Sequence, residues 1–322
     1  MKKTLLALSV LAAGSAQAGI NLYDANGVIV DLSGAAEVQY IQKIQDKNND
    51  NDAGIRIDDG DLQLNTTIAV NDQLNVVSGL GFRFEAPLDF DDSKSNVSND
   101  ELWVGLGGDF GTLTFGRQLL IADDAGIGKD YELGFEQIGF GRAEGNETIK
   151  YVFDNGQFYF GLSHDLDADG TDFQGNDGTI TDGRIGARFA DFDVRAYYYT
   201  FEAGTGTTKE ETDAFNIEAE YVMGQWAFAA SYGQVEEKIG GSTDFDADAI
   251  ELAGSYTMGK NTFALGYNRI DDDFSNDTID NVYGNITHQL HSNVKVYGEL
   301  GWADQDSKDL DMGYLVGMEV IF

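Results

Sequence analysis

Apolar and polar residues alternate, one for one, along most of this 322-residue chain. "YVFDNGQFYFGLSH" (Tyr151 to His164) shows the unit: two alternating runs around Asp154-Asn155-Gly156, a tight-turn signal. "ARFADFDVRAYYYTF", "AEYVMGQWAFAASY", "GSYTMGKNTFALGYN" and "ITHQLHSNVKVYGEL" repeat it around short turns. Longer polar stretches separate these hairpins: Ile44 to Gly54, Pro87 to Ser98, Gln118 to Glu144, Asp167 to Asp182, Gly204 to Thr212, Glu236 to Ala247, Asp271 to Asp277 and Ala303 to Asp309. Eight long connections alternating with seven short ones predict sixteen antiparallel strands.

An even-numbered meander with short turns at one end and long loops at the other predicts an all-β fold, a transmembrane 16-stranded antiparallel β-barrel. Closure pairs every backbone group, as lipid requires, because lipid offers no hydrogen bonds. Sixteen strands leave an aqueous lumen, where eight would be filled by side chains. The final residues, "GYLVGMEVIF", keep the alternation up to Phe322 with no polar tail. The last strand is therefore expected to pair with the first.

Lys2 and Lys3, the apolar run Thr4 to Ala13 and Ala16-Gln17-Ala18 form the three parts of a secretory leader, with cleavage expected after Ala18. The remainder, residues 19 to 322, reads as one barrel domain without a break in composition. The formal charge is −36, with 56 acidic side chains. Such a charge repels nucleic acid and anionic lipid and attracts cations. No cysteine is present, and His164, His288 and His291 lack metal-ligand spacing.

"NGVIVDLSGAAEVQY" (Asn26 to Tyr40) and "LWVGLGGDFGTLTFGRQ" (Leu102 to Gln118) resemble the first strand and an internal motif of the general diffusion porins of the Gram-negative outer membrane. The resemblance runs along the whole chain beyond the leader. It implies a homotrimer among outer-membrane lipid and lipopolysaccharide, with a third loop folded into each lumen. It also implies that Phe322 is part of the signal read by the barrel-assembly machinery. No cofactor is implied.

Parity assigns faces independently of that resemblance. Leu113 and Phe115 face outward and carry Arg117 with them. A charge facing lipid at mid-depth costs roughly 2–4 kcal/mol, so Arg117 is expected against protein. The resemblance places it at the subunit interface, near a neighbour's second loop (here Asp89, Asp91 and Asp92). Lumen-facing by the same rule are Glu37, Lys43, Asp61, Arg83, Glu85, Glu101, Arg142, Lys150, Arg184, Arg188 and Arg195.

The third loop carries Asp123, Asp124, Asp130, Glu132 and Glu136. The resemblance makes Glu132 and Glu136 the acidic pair of a constriction and Asp124 an earlier aspartate of it, with Asp130 beside them and Arg142 on the facing wall. Ala35, Asp61 and Glu101 stand where the family commonly has basic wall residues, and the loop lacks the family's proline. Both departures predict a more uniformly negative eyelet.

"DLDADGTDFQGND" opens like a calcium loop with Asp165, Asp167 and Asp169, but Asn176 replaces the bidentate glutamate. An ordered Ca²⁺ at this outer loop is weighed against a solvated acidic loop bridging lipopolysaccharide through divalent ions. The expected function is a cation-preferring, water-filled pore for ions and small hydrophilic solutes. A solute-specific channel is the alternative, followed by a barrel enzyme built around His164 and Asp165.

Overall fold

The structure, a computed structural model, describes residues 19–48, 53–84, 97–129, 131–134, 140–167 and 178–322. The expected leader, residues 1–18, lies outside them, as do Glu85, the acidic second loop, Asp130, Glu136 and Asp169.

Strands in chain order are β1 (Ile20–Ala25), β2 (Val28–Gln42), β3 (Gln45–Asp46), β4 (Gly54–Asn71), β5 (Leu74–Arg83), β6 (Ser98–Gly108) and β7 (Gly111–Leu119). The series continues with β8 (Glu144–Asp154), β9 (Phe158–Asp165), β10 (Gly178–Phe189), β11 (Phe192–Ala203), β12 (Glu210–Met223) and β13 (Trp226–Ile239). The remainder are β14 (Ser242–Met258), β15 (Asn261–Asp272), β16 (Asp277–His291), β17 (Val294–Gln305), β18 (Leu310–Asp311) and β19 (Gly313–Ile321). Setting aside β1 and the two-residue β3 and β18, sixteen strands pair each with the next and close through an antiparallel β19–β2 ladder. The predicted barrel and its closure are thus observed.

The sixteenth position is shared. β19 covers Ala35 to Gln42 of β2, and β1 covers Val28 to Leu32 further along the same edge. Between them Gly34 and Phe322 exchange backbone bonds of 2.8 and 3.0 Å. At the loop end β3 pairs with β18, and Lys47 reaches Asp309 at 2.5 Å.

Period-two alternation sorts the side chains as read. Leu102, Phe115, Ile149, Leu162, Ile185 and Leu265 are exposed on the outside, as a lipid-facing barrel requires. Aromatic pairs gather at the short-turn end: Phe192 against Tyr221 at 4.4 Å and Trp226 against Tyr256 at 4.5 Å, the position of an interfacial girdle. Inside, four rings lie over glycines directly opposite on the next strand: Trp103 on Gly79, Tyr159 on Gly186, Tyr283 on Gly266 and Tyr297 on Gly317. A Cβ at any of these glycines would come within 2.4 Å of the ring.

Two expectations change. The sixth long connection, Glu236 to Ala247, is strand up to Ile239 and again from Ser242. Gly240 and Gly241, at φ 59° and 80°, make the turn, as a two-residue hairpin of this hand requires. The strands here project beyond the apolar belt, where both faces meet water and alternation carries no signal. The sequence pattern misses β1 for a related reason: its side chains are exposed throughout.

Candidate functional site: the lumen wall and the third loop

The segment between β7 and β8, the third loop, is anchored to the inner wall in two places. In its first half Leu120 and Ile121 are fully buried against Tyr197, Tyr199 and Phe201 of β11. A short 3₁₀ turn, Ile121–Asp124, follows. Its amides are taken by the wall: Ile121 N–H donates to Ser163 at 2.9 Å, and Ala122 N–H to the Asp182 carboxylate. Further on, Gly126 N–H donates to Glu218 at 2.7 Å while Arg195 donates to the Gly126 carbonyl at 2.9 Å. In its second half Leu133 is buried among Ile41, Tyr283, Tyr297 and Leu315, and its amide donates to Glu299 at 3.1 Å. Phe140 then stacks on Tyr199 at 5.7 Å as the chain returns to β8. Wall carboxylates acting as acceptors for loop amides make these bonds charge-assisted, the stronger kind.

Of the predicted wall cations, four arginines and Lys150 are tied down by their side chains, while Lys43 is exposed just beyond β2. Arg184 pairs with Asp124 at 2.7 Å, with its guanidinium 5.2 Å from the Tyr159 ring. Arg188 pairs with Asp154 at 2.8 Å and Asp193 at 3.1 Å. Arg195 bridges Glu218 and, at 2.7 Å, Glu220. Arg83 holds Asp100 at 2.5 Å and Glu144 at 3.1 Å. Lys150 donates to the Leu119 carbonyl at 2.8 Å, and the Arg142 amide faces the Tyr199 hydroxyl at 3.4 Å.

The wall acids Asp61 and Glu101 are held by neutral donors instead. Asp61 accepts the Ala35 amide at 2.9 Å. Glu101 accepts from Gln63 and Trp103, both at 2.8 Å. Neither makes an ion pair among the described residues, although Arg83 stands directly across from Asp61 on β5.

Of the loop acids expected at the constriction, Asp124 is bound to Arg184, and Glu132 is bound to Arg56 at 2.6 Å. Arg56 is the functional residue that the sequence reading missed; it also reaches Asp58 at 2.7 Å. β4 carries one extra residue between Gly60 and Ile57, opposite the step from Ala36 to Val38 of β2. That bulge reverses parity, so a face count carried from Asp61 puts Arg56 outside. Its position between Ile55 and Ile57 is the local signal that could have found it. Asp123, not assigned to the constriction in the sequence, is among the described residues the loop acid whose side chain is exposed. Enclosure by the wall, then the adjacent Asp124 carboxylate, pushes its carboxyl up to about 6. Contact with lumen water screens the repulsion from Asp124.

Arg117 lies on the outer face across from Leu102 and donates to the Asn99 carbonyl at 2.9 Å. Asp165 ends β9, and its carboxylate accepts the Glu147 amide at 2.8 Å and the Thr148 hydroxyl at 3.2 Å. The expected calcium loop is therefore split between a strand residue facing inward, Asp167 after the strand, and Asp169 outside the described residues. His164 faces Thr181 at 2.8 Å. Among the described residues one other carboxylate group has metal-like spacing: Glu37, Asp59 and Glu319 each bring an oxygen within 4.8 Å of the others. Lys295 occupies Glu319 at 2.5 Å.

A closed barrel, apolar outside and lined with ion pairs and hydrogen-bonded acids inside, defines an outer-membrane channel for passive diffusion. Residues 4–308 match the family model described as Gram-negative porin. The chain belongs to that family. "Porin-like protein H" of Photobacterium profundum is 51% identical over 339 aligned residues covering all of both chains. Among solved structures, in-vitro folded OmpT of Vibrio cholerae in its trimer form aligns with a TM-score of 0.76 at 20% identity, covering 92% of this chain and 100% of that one. An anion-selective porin from Comamonas acidovorans aligns with a TM-score of 0.78 at 19% identity, with coverage of 92% and 100%. Both structures speak to the fold.

Proposed function

We propose that this porin is a cation-preferring general diffusion pore whose third loop narrows the lumen. Fold cannot decide the sign of selectivity, since a porin of opposite preference shares it. The observation that carries the reading is the pairing of charges on the wall. Arg56, Arg83, Arg184, Arg188 and Arg195 each meet at least one carboxylate, while Asp61 and Glu101 are hydrogen-bonded to neutral donors and make no ion pair among the described residues. Fixed negative charge in a narrow lumen with low-dielectric walls concentrates cations and repels anions.

The assembly we propose is a homotrimer. A related fold is trimeric, and Arg117 is an outward-facing charge that a neighbouring subunit would cover. The acidic outer loops are proposed to meet lipopolysaccharide through divalent ions, and Phe322 to be read by the barrel-assembly machinery. The test is reversal potential in a planar bilayer under a KCl gradient, using refolded protein. Openings in threes with a cation-selective potential support the reading. Monomeric steps overturn the trimer, and anion preference overturns the selectivity.

A further inference from the structure

Three third-loop acids lie among the described residues, and they differ in what holds them. Asp124 is fixed by Arg184, and Glu132 by Arg56. Asp123, between the buried Ala122 and the fixed Asp124, has neither an ion pair nor a hydrogen bond among the described residues, and its side chain is exposed. The wall charges that act on it lie on β5, β6 and β8. The charged groups within electrostatic reach there are Lys150, Glu101 and Arg83, besides Asp124 itself. Arg83 is engaged by Asp100 and Glu144, and Lys150 by the Leu119 carbonyl.

We propose that Asp123, rather than the ion-paired Asp124 and Glu132, sets the ionic preference of the pore, with Glu101 on the wall across from it. This rests on the cation-preferring reading above. A cation passing the turn meets a carboxylate with no protein counter-charge on the loop side and the anchored Glu101 carboxylate on the wall side. Lys150, held by a neutral carbonyl, and Arg83, opposed by two acids, are the wall cations placed to compete. The preference should also be pH-sensitive. Asp123 loses its charge as pH falls through about 6.

The experiment is the potassium-to-chloride permeability ratio from reversal potentials, measured on refolded wild type, Asp123→Asn, Asp123→Glu and Asp309→Asn. Asp309 sits on an outer loop and controls for loss of one negative charge outside the lumen. The expected result is a fall of about three- to tenfold for Asp123→Asn at neutral pH, from loss of one charge at short range in a partly screened lumen. Asp123→Glu and Asp309→Asn should stay near wild type. Below pH 6 the wild type should approach Asp123→Asn. A selective wild type with an unaltered Asp123→Asn overturns the assignment and leaves the pore reading standing. A wild type without cation preference overturns both.

Discussion

Two arcs of the same inner wall have been put to different uses. From β9 to β12 the wall lies under the third loop, and its side chains form a protein core: Tyr197, Tyr199 and Phe201 pack on Leu120 and Ile121, and Arg195 and Glu218 pair with almost no exposure. From β4 to β8 the wall is open, and Asp61, Arg83, Glu101 and Lys150 remain partly exposed. Charged residues populate both arcs. Under the loop a charge must be ion-paired, like Arg195 and Glu218, or hydrogen-bonded, like Asp182, because desolvation penalises any that is neither. On the open arc water solvates the charges, so an excess of one sign can persist and act on passing ions. Stability and selectivity are thus separated around the circumference.

Substitutions test this separation. The largest effect is expected from Glu218→Ala, which leaves Arg195 short of a buried partner and Gly126 without its acceptor. Removing one member of a buried pair costs about 3–5 kcal/mol, so the thermal transition of the folded barrel in detergent should drop clearly. A transition within a degree of wild type would mean that the covered arc is not a core. Ile121→Ala comes next, at about 2–4 kcal/mol for a fully buried aliphatic side chain. Much of that loss should appear as loosened docking, seen as noisier channels and faster tryptic cleavage at Lys129. Glu132→Gln should be milder, because Arg56 retains Asp58; the expected sign is slightly noisier conductance with the barrel intact. On the open arc, Arg83→Gln should alter stability by less than about 1 kcal/mol yet raise cation preference in reversal-potential measurements. A large stability loss there would erase the contrast. Lys47→Ala, at an exposed loop clasp, should leave both readouts unchanged.

The strand count is legible because lipid enforces alternation: one greasy face on every strand is written directly into the residue order. Where that pressure stops, legibility stops too. Ser242 to Ala247 reads as loop because strand above the membrane needs no apolar face. Ile20 to Ala25 escapes because an edge arm buries little. At the site, parity correctly places Arg83, Arg184, Arg188 and Arg195 inside. It fails at Arg56, where one inserted residue in β4 reverses the faces. No linear pattern could show that Asp124 and Glu132 would be consumed by ion pairs, since their partners, Arg184 and Arg56, lie far away in sequence. Asp123 and Asp124 are neighbours of identical chemistry, and a turn of the backbone alone decides which one meets the wall.

The junction between β2 and β19 is the one place where neighbouring strands of the barrel are not joined by a connecting segment. There the ladder, the paired ends at Gly34 and Phe322, the arm β1 and the β3–β18 clasp take over the task of a covalent link. In refolding, where no assembly machinery reads Phe322, a ring closed this well has no privileged starting point. Joining Phe322 to Gly19 and opening the chain at the Gly224-Gln225 turn should give a permuted polypeptide that refolds in detergent to the same barrel with the pore unchanged.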